Sequence, residues 1–236
     1  QAIDGGIVFY VHSDGSYALI AALQDVTYQT GDVSQYRHDW VSGFNASAPN
    51  TSCFKNLIHD NTDNGTGTQQ SLIIGGGQAN SHNIIAYCDT PVGDFQITAA
   101  GKTSVWSMGI LGNGVNIPTQ DIYNDWYLPS KNEFWEMHKV LNKTTSNVTL
   151  PNGQTLSLAD AMGFAAGEPY WTSSEYNGNY AYYFVAHVDD TSDFSYYGNN
   201  AAHPIEWAKK DPSGAATNRI RPIRRVDLDS NYINST

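Results

Sequence analysis

The sequence predicts an α+β domain of short antiparallel strands and two or three helices, joined by much irregular chain. Three observations carry this prediction. Apolar runs flank a Ser13-Asp14-Gly15 turn near the start. A capped amphipathic helix follows Ser130. From Tyr170 onward, aromatic and β-branched residues crowd into short stretches broken by turn residues. The chain has 236 residues, enough for one domain with its own hydrophobic core. No internal repeat and no shift in composition divides it. Residues 1–226 therefore read as one domain, and residues 227–236 as a tail that frays.

The elements follow in order. Residues 7–11 and 17–21 form a hairpin, because Gly15 accepts the positive φ that the turn needs. Residues 24–50 are polar and aromatic without a clear period and read as loop. Residues 60–67 (DNTDNGTG) are a turn-rich loop. Residues 77–88 suit a helix with Ile84, Ile85 and Tyr87 as its apolar positions. Residues 98–106 and 110–118 are irregular. Ser130 and Glu133 then make an S-x-x-E capping box, in which each side chain satisfies an orphan backbone N–H. Phe134, Met137, His138 and Leu141 recur at helical spacing, which predicts a helix over 131–142. Pro151-Asn152-Gly153 is a turn, and Ser157 caps a short helix over 158–163. Strands are expected at 170–173 and 180–188, separated by Asn177-Gly178, with a short one at 194–197. A loop over 198–216 leads to a final alternating strand at 219–226.

Composition limits the function. Tyr, Trp and Phe make up 12% and charged residues only 15%, which excludes a disordered chain. The net charge of −11 argues against binding nucleic acid or an anionic membrane through the average field. No apolar run is long enough to insert in a membrane as a helix. Residues 1–6 hold neither an initiator Met nor a signal-peptide pattern, so the chain reads as a piece of something longer. Cys53 and Cys88 are either buried thiols or one disulfide. Abundant Asn, Tyr and Gly with few Lys and Arg suggest a secreted surface protein, and that favours the bridge.

Four segments lie in one order: GIVFYV at 6–11, WYLPSxxE at 126–133, YWTSSE at 170–175 and RIRPIR at 219–224. With the Gly-rich run through Asn80, this arrangement resembles the Lcl C-terminal domain family. Tyr127 departs from the pattern, which usually has Arg there. The resemblance implies a C-type-lectin-like fold. It further implies a domain carried after collagen repeats, hence a homotrimer, because a collagen triple helix needs three chains. The implied role is an adhesin at the bacterial cell surface or secreted from it. Such a domain binds sulfated glycosaminoglycans and supports attachment to host cells, self-aggregation and biofilm.

The charge distribution offers a site for that role. Residues 209–225 hold Lys209, Lys210, Arg219, Arg221, Arg224 and Arg225 against a single acid, Asp211, while the remainder of the chain is strongly acidic. Arg presents a fork of donors that meets sulfate oxygens bidentately. The competing reading is structural. Arg219 and Arg221 alternate onto one face and suit ion pairs with Glu133, Glu168 or Glu175. Lys209, Lys210 and Arg225 are then the better ligand candidates. Lys102, Lys131, Lys139 and Lys143 come next; the last three fall on roughly one helix face, which also suits ordinary solvation.

A second surface is rich in Tyr and Asn. Tyr176, Tyr180, Tyr196 and Tyr197 suit a protein or a neutral sugar, since such residues make adaptable contacts at low entropic cost. Calcium is conceivable at residues 60–65, where an EF-hand-like start lacks the acid at position 12 (Ser71), and around Asp189, Asp190 and Asp193. A solvated acidic loop fits both segments better, so no cofactor is assigned. No H-E-x-x-H, G-x-S-x-G or phosphate loop occurs, so no enzyme is expected.

Overall fold

A computed structural model describes residues 2–3, 6–26, 28–30, 33–35, 40, 72–88, 100, 125–141, 147–149, 153–157, 163–165, 168–177, 180–185, 205–209 and 218–228. These form a mixed α+β architecture of two helices and small antiparallel sheets.

The first sheet has the order β1 (Ala2–Ile3), β2 (Gly6–Val11), β3 (Tyr17–Ala22), β11 (Ile223–Asp227). The β2–β3 hairpin closes as its sequence requires. Gly15 sits at φ 74°, and its N–H donates to the His12 carbonyl. Every residue of β3 is buried, which makes this YALIAA run the axis of the sheet. The chain's last strand, β11, lies against β3, with Ile223 opposite Ala21 and Asp227 opposite Tyr17.

The second sheet has the order β10 (Ile205–Lys209), β9 (Tyr180–Val185), β8 (Pro169–Asn177). The β8–β9 register slips between Trp171 and Glu175 and again before Asn177, so Thr172-Ser173-Ser174 bulges out of the ladder. Two minor hairpins complete the strands: β4 (Tyr28–Thr30) with β5 (Val33–Gln35), and β6 (Asn147–Thr149) with β7 (Thr155–Ser157).

Helix α1 spans Gly76–Cys88 and α2 spans Lys131–Leu141. Phe134 and Met137 of α2 are fully buried, with Phe134 stacked on Phe184 at 5.2 Å between ring centres. They join Ile7, Leu19, Tyr170 and Ile223 in one core cluster. A second cluster gathers Ile20, Trp40, Ile84, Trp126, Trp171 and Ile220. Residues 218–222 run between the two sheets. Trp171 N–H donates to Arg219 O on one side, and Val26 N–H donates to Ile220 O on the other.

The capping box forms and does more than cap its own helix. Ser130 N–H donates to Glu133 Oε2 at 2.6 Å, and Glu133 N–H donates to Ser130 Oγ at 3.3 Å. The same carboxylate accepts Gly75 N–H on Oε1 at 3.0 Å, just ahead of α1. One buried carboxyl group thus accepts backbone N–H groups at the starts of two helices. A Cβ at Gly77 would overlap the Glu133 carboxylate, the Ser130 nitrogen and the Leu128 carbonyl, so glycine there permits the approach. Ser81 exchanges hydrogen bonds with the Leu128 backbone. Ser174 Oγ accepts Lys131 N–H, and Asn80 reaches Ser173. The Gly-rich, WYLPSxxE and YWTSSE segments therefore meet in one buried polar knot, which holds the helices to β8.

Several expectations need correction. The stretch expected to be loop over 24–50 contains β4 and β5, and the one over 198–216 contains β10. The final strand starts at Ile223 rather than 219, because residues 219–222 are engaged by both sheets. Strand β8 runs on to Asn177. The short helix expected over 158–163 and the strand at 194–197 lie outside the described residues, apart from Gly163. That glycine has φ 59°, a left-handed turn conformation.

Candidate functional site

The cationic run divides into an interior part and an exposed part. Arg221 is fully buried. Its Nε donates to Asp25 Oδ1 at 2.8 Å, its Nη1 to Ala22 O and its Nη2 to Gly163 O. Arg219 Nη1 meets Asp25 Oδ2 at 2.9 Å, and Glu168 stands at 3.5 Å from its Nε. Tyr170 also donates to Asp25, and burial pushes that phenol up to about 12. Asp25 is thus the shared counter-ion of both arginines. Of the carboxylates expected there, Glu168 takes part, and Glu133 is engaged at the two helix starts. Arg224 is mostly covered and pairs with Asp125. All three arginines are engaged by carboxylates, Arg221 in the interior and Arg219 and Arg224 with part of each side chain still exposed.

Arg225 differs. It lies on β11 with 47% of its side chain exposed. Its guanidinium carbon lies over the Tyr17 ring, 4.1 Å from the centroid. Its Nε donates to exposed Asp227 at 2.9 Å, and its terminal nitrogens have no acceptor among the described residues. The stacking and the Asp227 contact hold the fork in one orientation. Tyr17 is buried because it is covered, and that burial raises its phenol pKa.

His12 also stacks on Tyr17, with ring centres 4.7 Å apart and planes 23° from parallel. Its Nδ1 lies 2.6 Å from Asp14 Oδ1. The Ser16 hydroxyl and then His12 hold the Asp14 carboxyl well below the usual carboxylate range. A guanidinium and an imidazole thus share the one phenol ring of Tyr17. Tyr10 approaches the same ring at 6.3 Å. This arrangement can recognise an oxyanion: a fixed fork supplies bidentate donors, and a second ionisable group lies beside the same aromatic ring.

The lysines separate in a different way. Lys131 is only 3% exposed, which corrects its placement on a solvated helix face. Its Nζ sits 4.5 Å from the centre of the Tyr182 ring, and burial lowers the amine to about 8. Position 131 is the first of α2 and lies against the second sheet, so spacing along the helix did not govern its exposure. Lys139 is exposed and pairs with Glu136 at 2.7 Å. Lys209 ends β10, directly opposite Tyr180 in the ladder. Tyr180 and Tyr176 are half-buried there, and Tyr176 packs edge-on to Tyr182 at 5.6 Å. Cys88 ends α1. Lys102, Lys143, Lys210, Tyr196, Tyr197 and Cys53 lie outside the described residues, as do residues 60–65 and Asp189, Asp190 and Asp193. Among the described residues no group of three or more His, Cys, Asp or Glu side chains suits a metal ion. No helix there is long and apolar enough to cross a membrane.

Sequence reasoning missed Asp25, His12, Asp14 and Tyr17. A signal existed for the last three. The Asp-Gly turn was recognised, and its flanking residues must stand beside whichever strand pairs with β3. No family model and no curated protein sequence matches the chain.

Proposed function

We propose that this is an adhesin domain that binds sulfated polysaccharide, outside the cell or at its surface. The observation that carries the reading is Arg225: an exposed guanidinium, stacked on Tyr17 and aligned by Asp227, with its terminal donors uncommitted among the described residues. Lys209, with Lys210 next in sequence, supplies a further cationic position. The resemblance to the Lcl C-terminal domain family supports the same role. It also supports a C-type-lectin-like fold and a homotrimer. Three copies of a weak site would raise avidity by roughly 10²–10⁴ over one copy.

The chain is acidic overall, so attraction must be local and easily screened. Heparin affinity should fall at least about tenfold between roughly 0.05 and 0.5 M salt. An affinity that ignores salt rejects the reading. Sedimentation at high concentration tests the trimer, and a single 26 kDa species (the chain is 25.9 kDa) rules it out for this domain.

A second reading is favoured by the other sheet, where half-buried Tyr176 and Tyr180 sit at one end. These residues suit a protein or neutral sugar. A glycan array with only uncharged hits, all lost on chelation, would select this alternative.

A further inference from the structure

His12 stands at the same aromatic ring as Arg225, and its chemistry is not constant with pH. Its Nδ1 faces Asp14 Oδ1 at 2.6 Å. Asp14 is held in place by the Ser16 N–H at 2.8 Å and stays ionised well into acid. A carboxylate is only an acceptor, so Nδ1 carries the hydrogen. The other nitrogen, Nε2, has no partner among the described residues and belongs to a side chain that is 35% exposed. In the neutral ring Nε2 is a lone pair that repels an oxyanion. In the protonated ring it is an N–H donor with a positive charge. One proton therefore inverts the sign of what this nitrogen offers.

We propose that His12 is a proton-gated second contact of the Arg225 face, so that the domain holds sulfated chains more tightly in acid. This rests on the reading of the Arg225 face as a polyanion site. Arg225 and His12 both lie within 5 Å of the Tyr17 ring centre, so one multiply charged chain reaches both. Among the described residues, Asp14 from the turn faces the imidazole, and Arg225 from β11, with its partner Asp227, lies at the same Tyr17 ring. Tyr17 and Tyr10 offer neutral phenols. A bound sulfate would screen the repulsion between the two cations and favour proton uptake. Among side chains, imidazole is the one that ordinarily gains charge between roughly pH 5 and 8.

The test uses a heparin-derived oligosaccharide at fixed ionic strength. Wild type should bind about 3–10-fold more tightly near pH 5.5 than near pH 7.5, and His12→Gln should lose most of that gain. A folding defect in the variant is bypassed by following the His12 ring resonances of the wild-type protein. By linkage, a ligand that prefers the charged ring must move the His12 titration to higher pH. A His12→Gln protein that keeps the full acid gain overturns the proposal, as does a His12 titration that the oligosaccharide leaves in place. Wild-type binding that is salt-sensitive yet equal at both pH values rejects the role of His12 alone. No binding at either pH rejects the polyanion site together with it.

Discussion

Arg221 and Arg225 are four residues apart and do opposite things. Arg221 lies between the sheets, fully buried, and directs its donors at Asp25 and two backbone carbonyls. Arg225 stands on an edge strand, lies across Tyr17 and keeps two nitrogens for solvent. Both carry one charge in one basic run. The difference lies in what surrounds each position: residues 218–222 are engaged on both sides, whereas β11 pairs with β3 beyond them. A charge run is therefore not a patch until the backbone decides which members reach the surface.

The sharpest way to break the comparison is to remove each guanidinium. Arg221→Ala leaves Asp25 with Arg219 and Tyr170 alone, frees the Ala22 and Gly163 carbonyls of their donor, and should cost about 3–5 kcal/mol, read from the urea midpoint. If it costs no more than Arg225→Ala, the interior reading of Arg221 is wrong.

The next effect concerns Glu133, which is also fully buried but has no cation beside it among the described residues. Burial raises its carboxyl from 4.5 to about 7, against the pull of the Ser130 and Gly75 N–H groups. The folded state therefore binds a proton that the unfolded state has released. This contribution is greatest below about pH 4.5 and is lost as pH rises to about 7, where the cost levels off near 3 kcal/mol. Glu133→Gln should flatten that part of the stability–pH curve, as measured by thermal unfolding across pH 4–8.

Ser130→Ala removes one side of the capping box and the hydrogen bond to Ile73 O. A loss of about 1–2 kcal/mol is expected in chemical denaturation, with no change in polysaccharide binding. The smallest stability effect belongs to Arg225→Ala, within about 0.5 kcal/mol of wild type, because its ion pair is exposed. Its heparin affinity should nevertheless drop several-fold in calorimetry. A variant that binds like wild type would move the site toward Lys209 and Lys210.

What was legible in the sequence was local. Ser130 and Glu133 announce a helix start within four residues, and Asp14-Gly15 announces a turn between two apolar runs. Asp25 could not be found this way, since it meets Arg221 across 196 positions and no spacing rule reaches that far. Lys131 was misread because helical periodicity describes a helix alone, whereas its first turn abuts a sheet. Strand β10 was hidden between Pro204 and Pro212 in a segment rich in Ala. The site suffered more than the fold. His12 and Tyr17 are unremarkable residues until β11 returns beside them.

The passage of residues 218–222 between the sheets has a consequence for how the domain is made. Asp25 lies just after β3, and its two arginines lie just before β11. During synthesis β3 waits without β11, and Asp25 waits without either cation, until nearly two hundred further residues have been made. The domain cannot settle vectorially from its N-terminus. Its final closure comes only after Arg219 and Arg221 have emerged, and a chain stopped just short of Arg219 would keep most of its apolar residues while losing the segment that joins its two sheets.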